Sequence, residues 1–159
     1  MSGAWVLALL ALLAPLLFSA CTTRPAPPMT PDTALLQVNA AVNRQAKPCP
    51  HDSCLDHWPA VADLPRLDYW DCKAYAVAKA DRLIRRYGYA PARLEYLLIA
   101  GAPLRVTHAA LLVDGRWVLD LGLRCQVCTL ERFVAGVEVT GRLPVSDLPM
   151  LMKALSSDP

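Results

Sequence analysis

Three side chains whose types together perform acyl transfer lie in separate apolar segments of the chain: Cys72, His108 and Asp120. Cys72 follows Asp71 at the predicted start of a helix, where the partial positive charge and the N–H groups of the helix end favour a thiolate. A thiolate is a nucleophile, and the same N–H groups can hold an oxyanion. The competing interpretation of this position is a buried, unreactive core cysteine.

His108 and Asp120 belong to two apolar segments that predict adjacent strands joined by a turn containing Gly115. A histidine inside an apolar strand is costly unless it is paired, and a facing aspartate would fix its tautomer and stabilise the imidazolium. A two-residue turn would put the two side chains on opposite faces of the hairpin. A three-residue loop over residues 113–115, with Gly115 left-handed, puts His108 directly opposite Asp120, and we predict that loop.

The remaining segments place these residues in an α+β domain. Apolar periodicity predicts helices over residues 34–44, 71–87 and 146–155 and a helical turn at 129–133. Alternating or β-branched runs predict strands over residues 93–99, 105–113, 116–121 and 137–142. Helices that come first and a group of strands that follows indicate helices packed on an antiparallel sheet.

The composition limits the class of protein. The chain has 159 residues, of which 55% are hydrophobic and 19% charged, with a formal net charge of +2. All charged side chains follow the first 20 residues, and the remainder has the composition of one ordinary soluble domain. These values exclude a polytopic membrane protein, a disordered chain and a multidomain assembly. Like charges form no block, so we expect no nucleic acid partner.

The N-terminus has the features of an export signal. Residues 4–18 are almost wholly apolar, which is shorter than the roughly 20 residues of a spanning helix. The string at residues 17–21, Leu-Phe-Ser-Ala-Cys, resembles a bacterial lipobox. That resemblance implies a lipoprotein signal peptide over residues 1–20, a lipidated Cys21, and a location at the periplasmic face of the outer membrane. Residues 21–31 are rich in proline and predict a tether, which leaves residues 32–159 as the domain.

Five motifs in this domain together resemble those of the bacterial transglutaminase-like cysteine peptidases. The resemblance covers residues 34–133, which is most of the mature chain. In chain order the motifs are Val38-Asn39-Ala40-Ala41-Val42-Asn43, Asp56-His57-Trp58, Asp71-Cys72-Lys73-Ala74-Tyr75-Ala76, the histidine strand and Val118-Leu119-Asp120. The resemblance implies a papain-like fold in which the cysteine helix packs on an antiparallel sheet.

The resemblance also implies a role for each side chain. Cys72 would be the nucleophile, His108 the general base and then the general acid, and Asp120 the residue that orients His108. The backbone N–H of Cys72 would hold the oxyanion, with Trp58 and Tyr69 as candidates for a second donor.

Two features depart from the family pattern. Trp70 stands where the family usually has a glycine, and Lys73 and Ala74 stand where it usually has acidic residues. In calcium-dependent members those acidic residues help to bind the ion, so Lys73 argues against calcium. We therefore expect no catalytic cofactor.

The four other cysteines, Cys49, Cys54, Cys125 and Cys128, form two sequence clusters. In an exported protein an even set predicts disulfides, here with three connectivities. Bridges between the clusters would close loops of about 70 residues and stabilise the domain by about 4 kcal/mol. A structural zinc site with four cysteines is the alternative. The pair Cys125-x-x-Cys128 does not join a strand to a helix as a thioredoxin motif does, which argues against redox catalysis.

The sequence therefore predicts a lipid-anchored periplasmic cysteine peptidase that acts on a protein or peptide substrate. Two alternatives remain open. One is a cell-wall peptidase of the NlpC/P60 type, although that class prefers Ser-Gly after the cysteine and a second histidine as its third member. The other is a catalytically degenerate lipoprotein that keeps the fold as a binding or scaffold module.

Overall fold

The computed structural model describes residues 30–50, 57–100, 107–122, 124–147 and 149. The predicted signal peptide, Cys21, Cys54 and most of the predicted C-terminal helix lie outside the described residues. Within the described ranges, no helix has both the length and the apolar character needed to cross a membrane.

In the described ranges, α-helices form where the sequence predicted helical segments: α1 (Thr33–Asn43), α2 (Cys72–Tyr87) and α3 (Leu130–Val134). Side chains with capping oxygens precede each one. The carboxylate of Asp32 accepts from the N–H of Ala34 at the start of α1, and Thr129 accepts from Arg132 at the start of α3. Gly88 ends α2 in the left-handed conformation, with φ of 68°, as expected of a helix C-cap glycine.

Five strands form a single antiparallel sheet in the order β4-β3-β2-β1-β5. Their bounds are β1 (Leu94–Ala100), β2 (His108–Val113), β3 (Trp117–Leu119), β4 (Val127–Thr129) and β5 (Glu138–Pro144). The sequence did not predict β4, because three residues are too few to show a periodicity. Its pairing with β3 comes from the chain turning back after Asp120.

Both faces of the sheet are covered, which explains the apolar character of β2. Helices α1 and α2 pack on one face, against Leu111, Val113 and Leu119 among others. Phe133 of α3, which is fully buried, packs on the other face against residues that include Ala110 and Leu112. All six residues of β2 are buried as a result. The sequence analysis placed helices on the sheet but did not predict that the α3 segment covers its second face.

The hairpin between β2 and β3 confirms the predicted loop length but not its position. Val113 pairs with Trp117, so the three-residue loop comprises residues 114–116 instead of 113–115. Asp114 and Gly115 both take positive φ, 54° and 63°, and the N–H of Arg116 donates to Val113, which keeps Val113 in the strand. This register makes His108 and Asp120 diagonal neighbours. The prediction that they lie directly opposite each other is wrong.

Substituting Gly115 tests the left-handed turn. An added Cβ would meet no atom within 4 Å, so Gly115→Ala introduces backbone strain and no clash. We expect Gly115→Ala to lower the free energy of unfolding by about 1 kcal/mol in urea denaturation. Gly115→Asn should lose less, because asparagine tolerates the left-handed region. Equal losses in the two variants would show that strain is not the cause.

Candidate active site

Cys72 is the first residue of α2, and Asp71 determines how the N-terminal turn is capped. One carboxylate oxygen of Asp71, Oδ1, accepts from the N–H groups of Lys73 and Ala74, at 3.0 and 3.1 Å. The cap therefore uses the second and third N–H groups of the helix and not that of Cys72. Cys72 is a free, half-buried thiol at the positive end of the α2 dipole.

His108 and Asp120 form a buried pair. His108 Nε2 lies 2.6 Å from Asp120 Oδ1, and the two side chains are 5% and 0% exposed. The other oxygen, Asp120 Oδ2, accepts from the N–H of Gly122 at 3.1 Å. Burial would raise the pKa of Asp120, but the hydrogen bond and charge of His108, together with backbone N–H groups, outweigh it and lower the pKa. Asp120 is thus an ionised acceptor aimed at the imidazole.

The imidazole of His108 also interacts with Cys72. Burial alone would lower the pKa of His108, but hydrogen bonds with Asp120 and with Cys72, and the charges of both, outweigh it and raise the pKa to about 9. Since Asp120 occupies Nε2, the nitrogen left for the sulfur is Nδ1. The structure therefore brings the three predicted side chains into one chain of contacts, in the order Cys72, His108, Asp120. A cysteine and a histidine in such contact can form a thiolate–imidazolium pair.

The backbone around Asp120 is held from two helices. Asn43 of α1 donates its side-chain N–H to the carbonyl of Asp120 at 3.0 Å. Lys79 of α2 points its ammonium at the carbonyl of Leu119, at 3.5 Å, and is only 1% exposed. Asn39, one turn before Asn43, is also buried, and its amide has no hydrogen-bond partner in the part of the chain that the structure describes.

The sequence analysis did not single out Lys79, although a signal was present. Lys79 lies within the apolar stripe of α2, four residues after Tyr75 and four before Leu83, both of which are buried. A lysine at such a position must bury its ammonium, which requires a compensating partner. Asn43 was noted only as part of a motif, because a single sequence does not show which backbone group an amide will reach.

The two candidates for a second oxyanion donor, Trp58 and Tyr69, differ in their surroundings. Trp58 packs its ring against Tyr96 at 4.7 Å between centroids, beside the core of α1 and α2. Tyr69 is 43% exposed, two residues before the Asp71 cap. Their role as donors to an oxyanion stays a prediction.

The structure confirms a disulfide among the four cysteines. Cys125 and Cys128 are bonded to each other, which selects a bridge within this cluster over the bridges between clusters that the sequence also allowed. The reason is local: the chain turns back after Asp120, whose N–H donates to Gln126, and this turn brings the two cysteines together. Cys49 is also disulfide-bonded. Disulfide sulfurs offer no thiolate to a metal, which excludes the zinc alternative for these three cysteines.

The ammonium of Lys73 places a positive charge next to Asp71, the residue before Cys72. The ammonium of Lys73 lies 3.2 Å from Asp71 Oδ2, and both side chains are largely buried. Among the described residues, no three His, Cys, Asp or Glu side chains converge as a metal site would require. The carboxylate before Cys72 is therefore shared between the helix cap and an internal ion pair.

Comparison with known proteins identifies the fold. No family model and no curated protein matches the chain. Among solved structures, calcium-bound LapG of Legionella pneumophila matches with a TM-score of 0.58 and 17% identity, over 77% of this chain and 78% of that chain. The chain has the transglutaminase-like fold. The α+β class predicted from the sequence, with the cysteine helix on an antiparallel sheet, is confirmed.

Alkylation of Cys72 by iodoacetamide tests the contact with His108. At pH 6 we expect His108→Ala to slow labelling about tenfold or more, because a free thiol with a pKa near 8.5 is scarcely ionised there. The difference should narrow as the pH rises past about 8.5, where a free thiol ionises unaided. Mass spectrometry of the Cys72 peptide measures the rate, with His57→Ala as the control. Equal rates in the wild type and His108→Ala at pH 6 would contradict the pairing.

Proposed function

We propose that the chain is a cysteine peptidase of the transglutaminase-like type, acting through Cys72, His108 and Asp120. The observation that carries the proposal is the buried pair of His108 and Asp120, whose imidazole hydrogen-bonds to a free cysteine at a helix N-terminus. The similarity to LapG supports the fold on which such a site is built.

In the proposed reaction, protons move between Cys72, His108 and the substrate. The proposed reaction begins with transfer of the Cys72 proton to His108 Nδ1, while the other ring proton, on Nε2, is donated to Asp120 Oδ1. The thiolate attacks the scissile carbonyl, and the oxyanion forms near the N–H of Cys72. His108 then gives its proton to the leaving amine, which departs and leaves an acyl-enzyme. Water attacks the thioester and gives a proton to His108. The C–S bond then breaks, which releases the acid product and regenerates Cys72 and His108.

We further propose that the peptidase is anchored by lipid at the periplasmic face of the outer membrane and cleaves a protein or peptide substrate. The lipobox ending at Cys21 and the proline-rich residues that follow support the anchor. A paired aspartate, where the NlpC/P60 class uses a second histidine, disfavours the cell-wall peptidase alternative. Comparing cleavage by the wild type and by variants of Cys72 distinguishes the peptidase from a catalytically degenerate scaffold.

Cleavage in the source cell tests the proposed function. Cells expressing the full chain, Cys72→Ala or Cys72→Ser are compared by sequencing the N-termini of envelope and released proteins. We expect a small set of new N-termini with the wild-type chain and their loss in both variants, since neither provides a thiolate. Immunoblots verify equal amounts of the three proteins. Identical sets of N-termini in all three strains would overturn the peptidase and favour the scaffold.

Calcium, which LapG contains, does not fit the residues beside Cys72. Asp71 Oδ1 is committed to two backbone N–H groups, and Oδ2 faces the ammonium of Lys73. A calcium ion needs six to eight oxygen ligands, and an adjacent ammonium repels it. We therefore propose that the internal charge of Lys73 balances Asp71 without a metal.

Chelation tests this proposal. Because the described residues beside Cys72 supply no ligand set for the ion, we expect excess EGTA, relative to millimolar calcium, to change neither the melting temperature nor the iodoacetamide labelling rate of Cys72. A site with ordinary affinity would raise the melting temperature when calcium is added. Magnesium serves as the control for ionic strength. A rise specific to calcium would contradict the proposal.

A further inference from the structure

Lys79 carries a buried positive charge that the proposed reaction does not use. The side chain is 1% exposed, on the face of α2 that packs against the sheet. Taking an ammonium out of water is expensive unless an opposite charge compensates for it. Lys79 interacts electrostatically with Asp120, which is itself 0% exposed. Two buried charges of opposite sign thus lie on the two elements that carry Cys72 and Asp120.

We propose that Lys79 is a positioning residue of this site, whose buried positive charge balances Asp120 and keeps Cys72 and His108 reactive toward the acidic end of their working range. The inference rests on the proposed function, because it assigns Lys79 a role through the contacts of Asp120. Lys79 itself touches neither substrate nor the reacting atoms.

Lys79 and Asn43 donate to two successive backbone carbonyls, those of Leu119 and Asp120. Lys79 Nζ lies 3.5 Å from the carbonyl of Leu119, and Asn43 Nδ2 lies 3.0 Å from the carbonyl of Asp120. These are the peptide groups on either side of the Asp120 Cα. Helices α1 and α2 therefore hold the backbone on both sides of the Asp120 carboxylate, and α2 begins at Cys72.

The charges in this region also balance. A thiolate at Cys72, an imidazolium at His108 and a carboxylate at Asp120 sum to −1, in a site where two of the three side chains are almost wholly buried. The ammonium of Lys79 brings the sum to zero. A neutral set of charges is far less costly to bury than a net charge, so Lys79 stabilises the ionised form of the site.

Lys79 can act in this way only while it is protonated. Burial lowers the pKa of Lys79 to about 7, against the opposing attraction of Asp120. Among the described residues, the titratable groups at this junction are Asp120, which follows β3, and His108, which begins β2. From helix α1, Asn43 brings an uncharged amide to the carbonyl of Asp120. The positive charge is therefore present below pH 7 and is lost as the pH rises through that value.

The main test compares the pH profile of iodoacetamide labelling at Cys72 in the full-length wild type and in Lys79→Met. Methionine is close to lysine in length and leaves no ammonium to bury, so we expect the variant to fold. Lys79 lies two helical turns from Cys72, about 10 Å. Removing a unit charge at that distance should move the acidic midpoint of labelling upward by about one pH unit. The rates should converge near pH 9, where Lys79 of the wild type is already neutral.

A matched control separates charge from the general effect of altering α2. Tyr75, one turn before Lys79, donates its hydroxyl to the carbonyl of Ala46 at 2.9 Å. Tyr75→Phe removes one buried contact of the same helix without changing any charge. We expect the midpoint in Tyr75→Phe to equal that of the wild type, even though its melting temperature falls.

A second measurement does not depend on the folding of Lys79→Met. Carbon NMR at Cε of Lys79 follows the ionisation of its ammonium in the wild type and in Asp120→Asn. Because Asp120 favours the charged form, its neutral replacement should lower the midpoint of the Lys79 titration. The same midpoint in both proteins would overturn the inference.

The outcomes distinguish the two proposals. Labelling of the wild type at ordinary thiol rates would overturn the proposed function, whatever Lys79 does. Fast labelling of the wild type with an unshifted midpoint in Lys79→Met would overturn the role of Lys79 alone. An equal shift in Lys79→Met and Tyr75→Phe would show that Lys79 acts as packing and not through its charge.

Discussion

The burial of one carboxylate, that of Asp120, is the constraint on which the arrangement of this domain depends. An ionised carboxylate that is 0% exposed must have partners on every side. His108 and the N–H of Gly122 bind its two oxygens, while Asn43 binds the carbonyl of the same residue and Lys79 the preceding one. Strand β2, the loop after β3 and both long helices are thereby tied to one residue. The same contacts orient the imidazole toward Cys72.

The segment after Asp120 completes this environment. The N–H of Asp120 donates to Gln126, and the chain then enters β4, which pairs with β3. The bond between Cys125 and Cys128 closes this turn within four residues, so it braces the loop that supports Asp120 locally. A disulfide between distant clusters would have restricted the unfolded chain more strongly. Here the cross-link is placed where the site needs a rigid loop.

Several features of the domain could be predicted from local sequence. The N-terminus of α2 followed from an aspartate before an alanine-rich segment, and its end from Gly88. The odd length of the β2–β3 loop followed from the need to bring two polar side chains together. The exact loop residues could not be predicted, because Asp114 also adopts positive φ and the partner of each β2 residue moves two positions along β3. Strand β4 and the second buried face depend on contacts between distant segments, which leave no periodic pattern.

Local sequence patterns are enough to recognise the types of chemistry and their settings: a cysteine at a helix start, a histidine in an apolar strand, and an aspartate at the end of the next strand. Hydrogen bonds between near neighbours and apolar periodicity are local properties, and so they can be recognised in one sequence. The packing of α1 and α2 on the sheet places Lys79 beside the carbonyl of Leu119 and Asn43 at the carbonyl of Asp120, which no local pattern indicates. Electrostatic and covalent partners are chosen by distance in space, which depends on how α2 packs on the sheet and how the chain returns to it.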